Sequence, residues 1–367
     1  MEPTSIDQLD TPAIVIDLDR MERNLAKLSA YCQASGLQLR PHTKTHKIPE
    51  LAKRQIAGGA QGITVAKIGE ARVMADAGLN DILIAYPIVS EAKARELAAL
   101  AERARVAVSL DSLEAAQAIS RETAERGATI GMFVEVDVGF HRCGLGRPED
   151  AVALARAILR FPGIEFRGLM YYPGHMLAVR SRQLELLTSV NESLDRFREA
   201  FDGAAIPVRE VSGGSTPTAY ISTAFHWLTE VRPGMYLFND RNMVGAEVAT
   251  VDDCALSVLV TVVSTAVAGR AIVDGGSKTF SSDRFLAGDG QGFGIVNGDP
   301  GASLEAMSEE HGHLNVQDAS KQYRVGDRLR IIPNHVCTAI NMHERVYGLR
   351  GARVEEVWEV AGRGKLQ

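Results

Sequence analysis

The chain has 367 residues, 46% of them hydrophobic and 23% charged, with a formal net charge of −6. That length predicts about two domains, or one large barrel with an appendage, and the composition excludes wholesale disorder. A mildly acidic chain without a Lys/Arg block lacks the footprint of a nucleic-acid or anionic-lipid binder, and no apolar run approaches the ~20 residues of a membrane span.

The opening MEPTSIDQLD carries no basic or long apolar segment of the signal-peptide kind. The four cysteines (Cys32, Cys143, Cys254 and Cys337) are too few and too scattered for a disulfide framework, so the expected location is the cytoplasm. From residue 13 onward, apolar runs at 13–16, 62–66, 82–85, 106–110, 132–136 and 168–171 have the length of buried parallel strands. Amphipathic segments lie between them. Met21, Leu25, Leu28 and Cys32 make one helical face, IGEARVMADAG ends at Gly78, and SEAKARELAALAERA opens at a capping Ser90. So many βα units predict a (β/α)8 TIM-like barrel over residues 1–245, an α/β fold whose N-terminal strand is free to join a neighbouring domain. After residue 245 the runs CALSVLVTVVSTAVAG, RAIVDGG, GFGIVN, RLRIIPNHV and RVEEVWEVAG are β-rich and punctuated by turn residues, predicting a second, all-β domain over 246–367.

Four motifs stand where a barrel places its chemistry, on the loops after its strands. Arg40-Pro41-His42-Thr43-Lys44-Thr45-His46-Lys47 follows the short strand LQL. It reads either as a solvated basic turn or as a lysine whose positive neighbours make it available as a Schiff-base amine. Val134–Gly144 ends a strand in a glycine turn that delivers Arg142, suited to an anionic oxygen or to solvent. Glu210-Val211-Ser212-Gly213-Gly214-Ser215-Thr216 has the composition of a phosphate nest and also of an ordinary turn. Pro333-Asn334-His335-Val336-Cys337 is read as extended, which aims His335 and Cys337 the same way, either as a divalent-metal pair or as a core Cys beside a strand His. Ser308-Glu309-Glu310-His311-Gly312-His313 offers a further carboxylate or imidazole. GxGxxG, Walker-type and GxSxG signatures are absent.

In this order and spacing, RPHTKTHK, DVGFHRCG, SGGSTPT, SEEHGHL and PNHVCTAINMHE resemble the alanine-racemase-like (fold type III) pyridoxal-phosphate enzymes, specifically the D-threonine aldolase and D-serine dehydratase branch. The resemblance runs from TPAIVIDLDRMERN to WEVAGRG. It implies pyridoxal 5'-phosphate on Lys44, with Lys47 the second choice, Arg142 at the cofactor's phenolic oxygen, and Ser212, Gly213, Gly214 and Ser215 at its phosphate. Tyr171 is counted with the cofactor-binding residues. Where relatives often read GGTGT this chain reads Gly214-Ser215-Thr216-Pro217-Thr218, and Pro217 removes an amide donor. A divalent metal (Mn, Zn or Mg) is implied at His335 and Cys337, and His175 is the expected general base. The implied activity is cleavage of D-β-hydroxy-α-amino acids to glycine and an aldehyde. The alternative is dehydration of D-serine or D-3-hydroxyaspartate, towards which Cys337 tilts while SEEHGHL looks aldolase-like; a non-catalytic cofactor carrier ranks behind both. The expected partner set is a small D-amino acid and a second copy of the chain in a homodimer, with no nucleic acid and no membrane.

Overall fold

The computed structural model describes residues 3–287 and 290–367. After β1 (Ala13–Asp17) come eight strands that alternate with helices: β2 (Gln38–Leu39), β3 (Ile63–Val65), β4 (Asp81–Ile84), β5 (Arg105–Leu110), β6 (Ile130–Glu135), β7 (Ile164–Met170), β8 (Glu210–Gly213) and β9 (Glu230–Val231). They pair in parallel in the order β2-β9-β8-β7-β6-β5-β4-β3. A His42–Thr64 bridge closes the ring between β2 and β3, supported by Thr64 N donating to the Pro41 carbonyl at 2.8 Å. This is the expected barrel. Its strands read as unbroken apolar runs because side chains fill it inside while helices cover it outside.

The covering helices are α1 (Leu18–Ser35), α2 (Pro49–Ala57), α3 (Ile68–Asp76), α4 (Glu91–Ala101), α5 (Leu113–Arg126), α6 (Pro148–Ile158) and α7 (Arg180–Gly203). Asp17 caps α1 by accepting from Arg20 N, and Gly36 ends it in the left-handed region at φ 67°. Met21, Leu28 and Cys32 are buried on its inner face. Ser90 caps α4 as its position predicts.

The second domain is one nine-stranded sheet, ordered β11-β14-β13-β12-β15-β10-β1-β16-β17 with β10 also meeting β11. Its own strands are β10 (Leu256–Ser264), β11 (Arg270–Val273), β12 (Gly294–Val296), β13 (Ser303–Met307), β14 (Gly312–Asn315), β15 (Arg328–Pro333), β16 (Arg345–Arg350) and β17 (Arg353–Glu359). β1 does join this sheet, antiparallel to β10 and parallel to β16. Ile14 and Ile16 enter the large β-domain core, while Val15 packs on the other side against Leu259 and Leu349. A strand buried on both faces has the same sequence texture in either sheet. Three short helices complete the chain: α8 (Arg241–Gly245), α9 (Ser277–Phe280) and α10 (Val336–Met342).

One expectation is corrected. The segment after Pro333 is not extended through Cys337: His335 is the extended N-cap of α10 (φ −141°, ψ 111°), and Cys337 lies in the helix's first turn. Val336 and Ile340, a turn apart, both go into the β-domain core, and that burial selects the helix. Among the described residues, no helix is long and apolar enough to cross a membrane.

Candidate active site

A cavity of about 760 Å³ opens where the C-terminal ends of the barrel strands face the β domain. Lys44, Arg142, Gly214, Ser215, His335 and Cys337 all line it.

Lys44 sits in the short turn Thr43–Thr45 that follows β2. His42 Nδ1 accepts from Lys44 N at 3.5 Å. Burial holds the Lys44 ammonium below its ordinary value, and the positive Arg142 and Arg232 act in the same direction against Cys337 and Glu70. Burial, with Lys44 beside it, also keeps His42 neutral. The motif's other lysine is committed elsewhere: Lys47 Nζ lies 3.1 Å from Glu70 and donates to Asn341 at 2.8 Å. Lys47 also has a left-handed backbone (φ 56°), a strained geometry that its burial and two partners hold in place.

Arg142 is presented by a turn knotted around one carboxylate oxygen. Asp137 Oδ1 accepts from the amides of Gly139, Phe140 and His141 at 2.9–3.0 Å. Gly139 takes φ 111°, which a side-chain-bearing residue resists. The Arg142 guanidinium then lies over the rings of Tyr172 (4.6 Å) and Phe140 (5.4 Å).

The remaining expected residues divide into wall and support. Tyr171 is fully buried behind Gly213, where any Cβ would fall 2.3 Å from its ring; Tyr172 is the tyrosine facing the cavity. Ser212 donates to Glu230 Oε1 at 2.6 Å, so its hydroxyl is already used. Gly214 (φ 74°), Ser215, Thr216 and Pro217 form the wall, with Thr218 Oγ1 accepting from Ser215 N at 3.1 Å. His175 packs on Gly139 of the Arg142 turn rather than lining the cavity. Its Nδ1 is buried without a partner, and burial holds the ring below its ordinary pKa. The SEEHGHL segment lies away from the cavity, at the β13–β14 hairpin, where Glu309 and Glu310 bind Lys278 at 2.7 and 3.0 Å.

Sequence reasoning passed over Arg232 and Glu135. Arg232 follows the two-residue β9, too short to show a period; it is buried and lines the cavity, and its Nε has no partner among the described residues. Glu135 ends β6 as one carboxylate among apolar neighbours. It accepts from Ser109 Oγ at 3.1 Å and is raised in pKa by burial.

At the β-domain edge, Asp283 Oδ2 and His335 Nδ1 are 2.6 Å apart, which leaves His335 Nε2 for another partner. Against the opposing effect of burial, Cys337 beside it and Asp283 raise His335, while His335 in turn lowers the Cys337 thiol. Among the described residues, no group of three or more His, Cys, Asp or Glu converges as a metal cage. An ion here would have this imidazole and thiolate as its protein ligands and open positions for water or substrate, the arrangement of a catalytic rather than a structural site.

The alanine racemase N-terminal domain family matches residues 16–242, and the putative serine dehydratase domain matches residues 255–349. The chain belongs to the alanine-racemase-like family. Within it, the chain falls in the D-threonine aldolase and D-serine dehydratase branch, and it is a lyase. It is 33% identical to a D-threonine aldolase from Arthrobacter sp. over 97% of this chain and 93% of that one. It is 37% identical to a D-threo-3-hydroxyaspartate dehydratase from Delftia sp. over 96% of this chain and 97% of that one. The crystal structure of a D-threonine aldolase from Filomicrobium marinum superposes with a TM-score of 0.92 at 31% identity, covering 100% of both chains. Lys44, Arg142 and the Gly214 turn fall in the first matched segment, His335 and Cys337 in the second.

Proposed function

We propose that the chain is a pyridoxal-phosphate- and divalent-metal-dependent lyase that cleaves D-β-hydroxy-α-amino acids to glycine and an aldehyde. The observation that carries this is the shared cavity: a half-buried lysine with a lowered pKa and an imidazole–thiol pair open into the same space. The donor set fits the cofactor. Lys44 has an amine primed for a carbonyl, Arg142 a planar cation on two rings, Arg232 an orphaned buried N–H, and Gly214–Thr216 a turn of anion-nest type. When bound, the cofactor supplies an electron sink for the carbon–carbon bond electrons, and the metal supplies a Lewis acid for the β-hydroxyl.

The chain's own residues bind and orient. Lys44 holds the cofactor, because Lys47 is tied to Glu70 and Asn341. Gly214, Ser215 and Thr216 receive the phosphate, with Ser212, Gly213 and Tyr171 as the layer that fixes them. Arg142 would meet the cofactor's phenolic oxygen. His335 and Cys337 hold the ion; a soft thiolate favours zinc over manganese or magnesium. His175, the expected proton acceptor, is kept neutral by burial but packs behind the Arg142 turn outside the cavity lining, so the geometry does not support that role for it. His42 is also neutral, but its Nδ1 faces Lys44 N.

Dehydration is the second reading, favoured by the cysteine at position 337 and by the relationship to the Delftia dehydratase. Incubation with D-threonine, threo-3-hydroxy-D-aspartate and D-serine separates the two: glycine plus an aldehyde supports the aldolase, a 2-oxo acid plus ammonia the dehydratase. Dialysis against a chelator should remove turnover while the cofactor's absorbance stays; full turnover without metal would overturn both. A homodimer in the cytoplasm completes the proposal. Tyr86 and Leu286, 44% and 67% exposed at the cavity mouth, are apolar groups that a second copy would cover.

A further inference from the structure

We propose that Asp283 is a positioning residue that sets the ring of His335 for metal binding; the inference rests on reading His335 and Cys337 as the ion's ligands. A histidine presents one nitrogen to a metal only if something fixes the other. Here Asp283 Oδ2 lies 2.6 Å from His335 Nδ1, and it also accepts from Thr338 Oγ1 at 2.9 Å. Ser281 Oγ donates to Thr338 Oγ1 at 3.0 Å and accepts from Asp283 N at 3.3 Å. Asn334 Nδ2 donates to the Asp283 carbonyl at 3.1 Å and to the Gly292 carbonyl at 2.8 Å.

The Asp283 main chain is therefore held by the residue before His335, and its carboxylate by the first turn of the helix after it. The loop that brings it, 281–283, begins at Ser281 with φ 66°, a left-handed conformation in a residue with a side chain. That strain is kept by the contacts just described. Stability does not require it: the Asp283 and His335 side chains are 40% and 33% exposed, and ion pairs so placed contribute little to the fold. What the arrangement does achieve is direction. With Nδ1 committed, the ring turns Nε2 towards Cys337, whose thiol in turn donates to Thr45 Oγ1 at 3.4 Å beside Lys44. The imidazole is oriented without an ion, and the Cys337 beside it touches the turn that carries the lysine.

The test uses the full chain with its cofactor loaded and Zn²⁺ as the probe, by equilibrium dialysis. The wild type should bind one ion per chain and His335→Ala should lose it; a wild type that binds none would remove the metal reading, and this inference with it. Asp283→Asn, of the same size, should bind Zn²⁺ about 10–100-fold more weakly, while the cofactor's affinity and the melting temperature of the metal-free protein stay unchanged. Asp283→Glu, which keeps a carboxylate, should recover part of the loss. Excess Zn²⁺ should restore turnover to Asp283→Asn and not to His335→Ala. Binding of Zn²⁺ by Asp283→Asn within about twofold of the wild type would overturn the positioning role while leaving the metal site standing. So would a loss that appears only together with lower melting or cofactor release, since that marks a structural residue.

Discussion

Replacing Arg40 by methionine is expected to cost the fold about 3–5 kcal/mol, the range for breaking a buried ion pair from one side. Arg40 Nε lies 2.6 Å from Glu230 and Nη1 2.5 Å from Asp81, with the Arg40 and Glu230 side chains only 5% and 4% exposed. Without the guanidinium, Glu230 keeps one neutral donor, Ser212 Oγ at 2.6 Å, in a dry setting. Asp81 matters less, since it is 26% exposed and retains Arg105 at 3.4 Å. Gly62 belongs to the same knot: a Cβ there would lie 2.2 Å from the Arg40 guanidinium. The functional stake is that these residues tie together β2, β4, β8 and β9, three of which lead directly into Lys44, the Gly214 turn and Arg232. Urea unfolding followed by circular dichroism should show a lower midpoint with an unchanged slope, together with earlier cofactor release. Arg40→Met/Glu230→Leu should recover most of the loss, less about 1 kcal/mol for the stranded Ser212 hydroxyl. A single variant within about 1 kcal/mol of the wild type, or a double variant no better than the single, would refute the reasoning.

Lys44→Ala should abolish borohydride fixation of the cofactor; a reduced adduct mapped to Lys47 in the wild type would reverse the assignment. Arg142→Lys keeps the charge but cannot lie flat over both Tyr172 and Phe140. At ~0.5–1 kcal/mol per ring, cofactor affinity should fall about five- to thirtyfold, and an unchanged dissociation constant would count against the stacked geometry. Stability should depend on His46. Burial holds it at about 4 against an ordinary 6.5, so the unfolded chain takes up a proton first as pH falls. The contribution is full above pH 6.5, is lost between 6.5 and 4, and amounts to about 3 kcal/mol; His46→Gln should flatten that part of a urea-midpoint-against-pH curve, and an unaltered curve would refute it.

The barrel was legible because its strands and helices carry different periods, and some helices announce an end, as α4 does at Ser90. The home of β1 was not, because Ile14, Val15 and Ile16 are buried on both faces and would suit either sheet. Two kinds of site residue escaped for a related reason. Arg232 follows a strand of two residues, and Asp283 is a lone carboxylate in an irregular loop that meets His335 across 52 positions of sequence. Local pattern does not report such pairings. Adjacent motif residues also split by depth: Tyr171 is buried and Tyr172 faces the cavity because consecutive side chains leaving a strand alternate, whereas Ser212 and Gly213 still belong to β8 and Gly214 and Ser215 to the turn that follows it.

His335 and Cys337 show how a correct grouping can stand on the wrong backbone. An extended segment would place positions i and i+2 on one side, whereas the chain turns helical at Val336. The two side chains still meet because His335, as N-cap, keeps extended geometry and reaches back over the first turn, where Cys337 sits. That junction also explains why the pair belongs to the cavity at all. The same helix offers Asn341, one turn beyond Cys337, to Lys47 at 2.8 Å, and Cys337 itself donates to Thr45 at 3.4 Å. A β-domain helix is thus bonded to two residues, Thr45 and Lys47, that closely follow Lys44 in the sequence. The barrel lysine and the imidazole–thiol pair consequently hold a fixed separation, which a reaction needs if one group is to bind the substrate's nitrogen side and the other its β-hydroxyl.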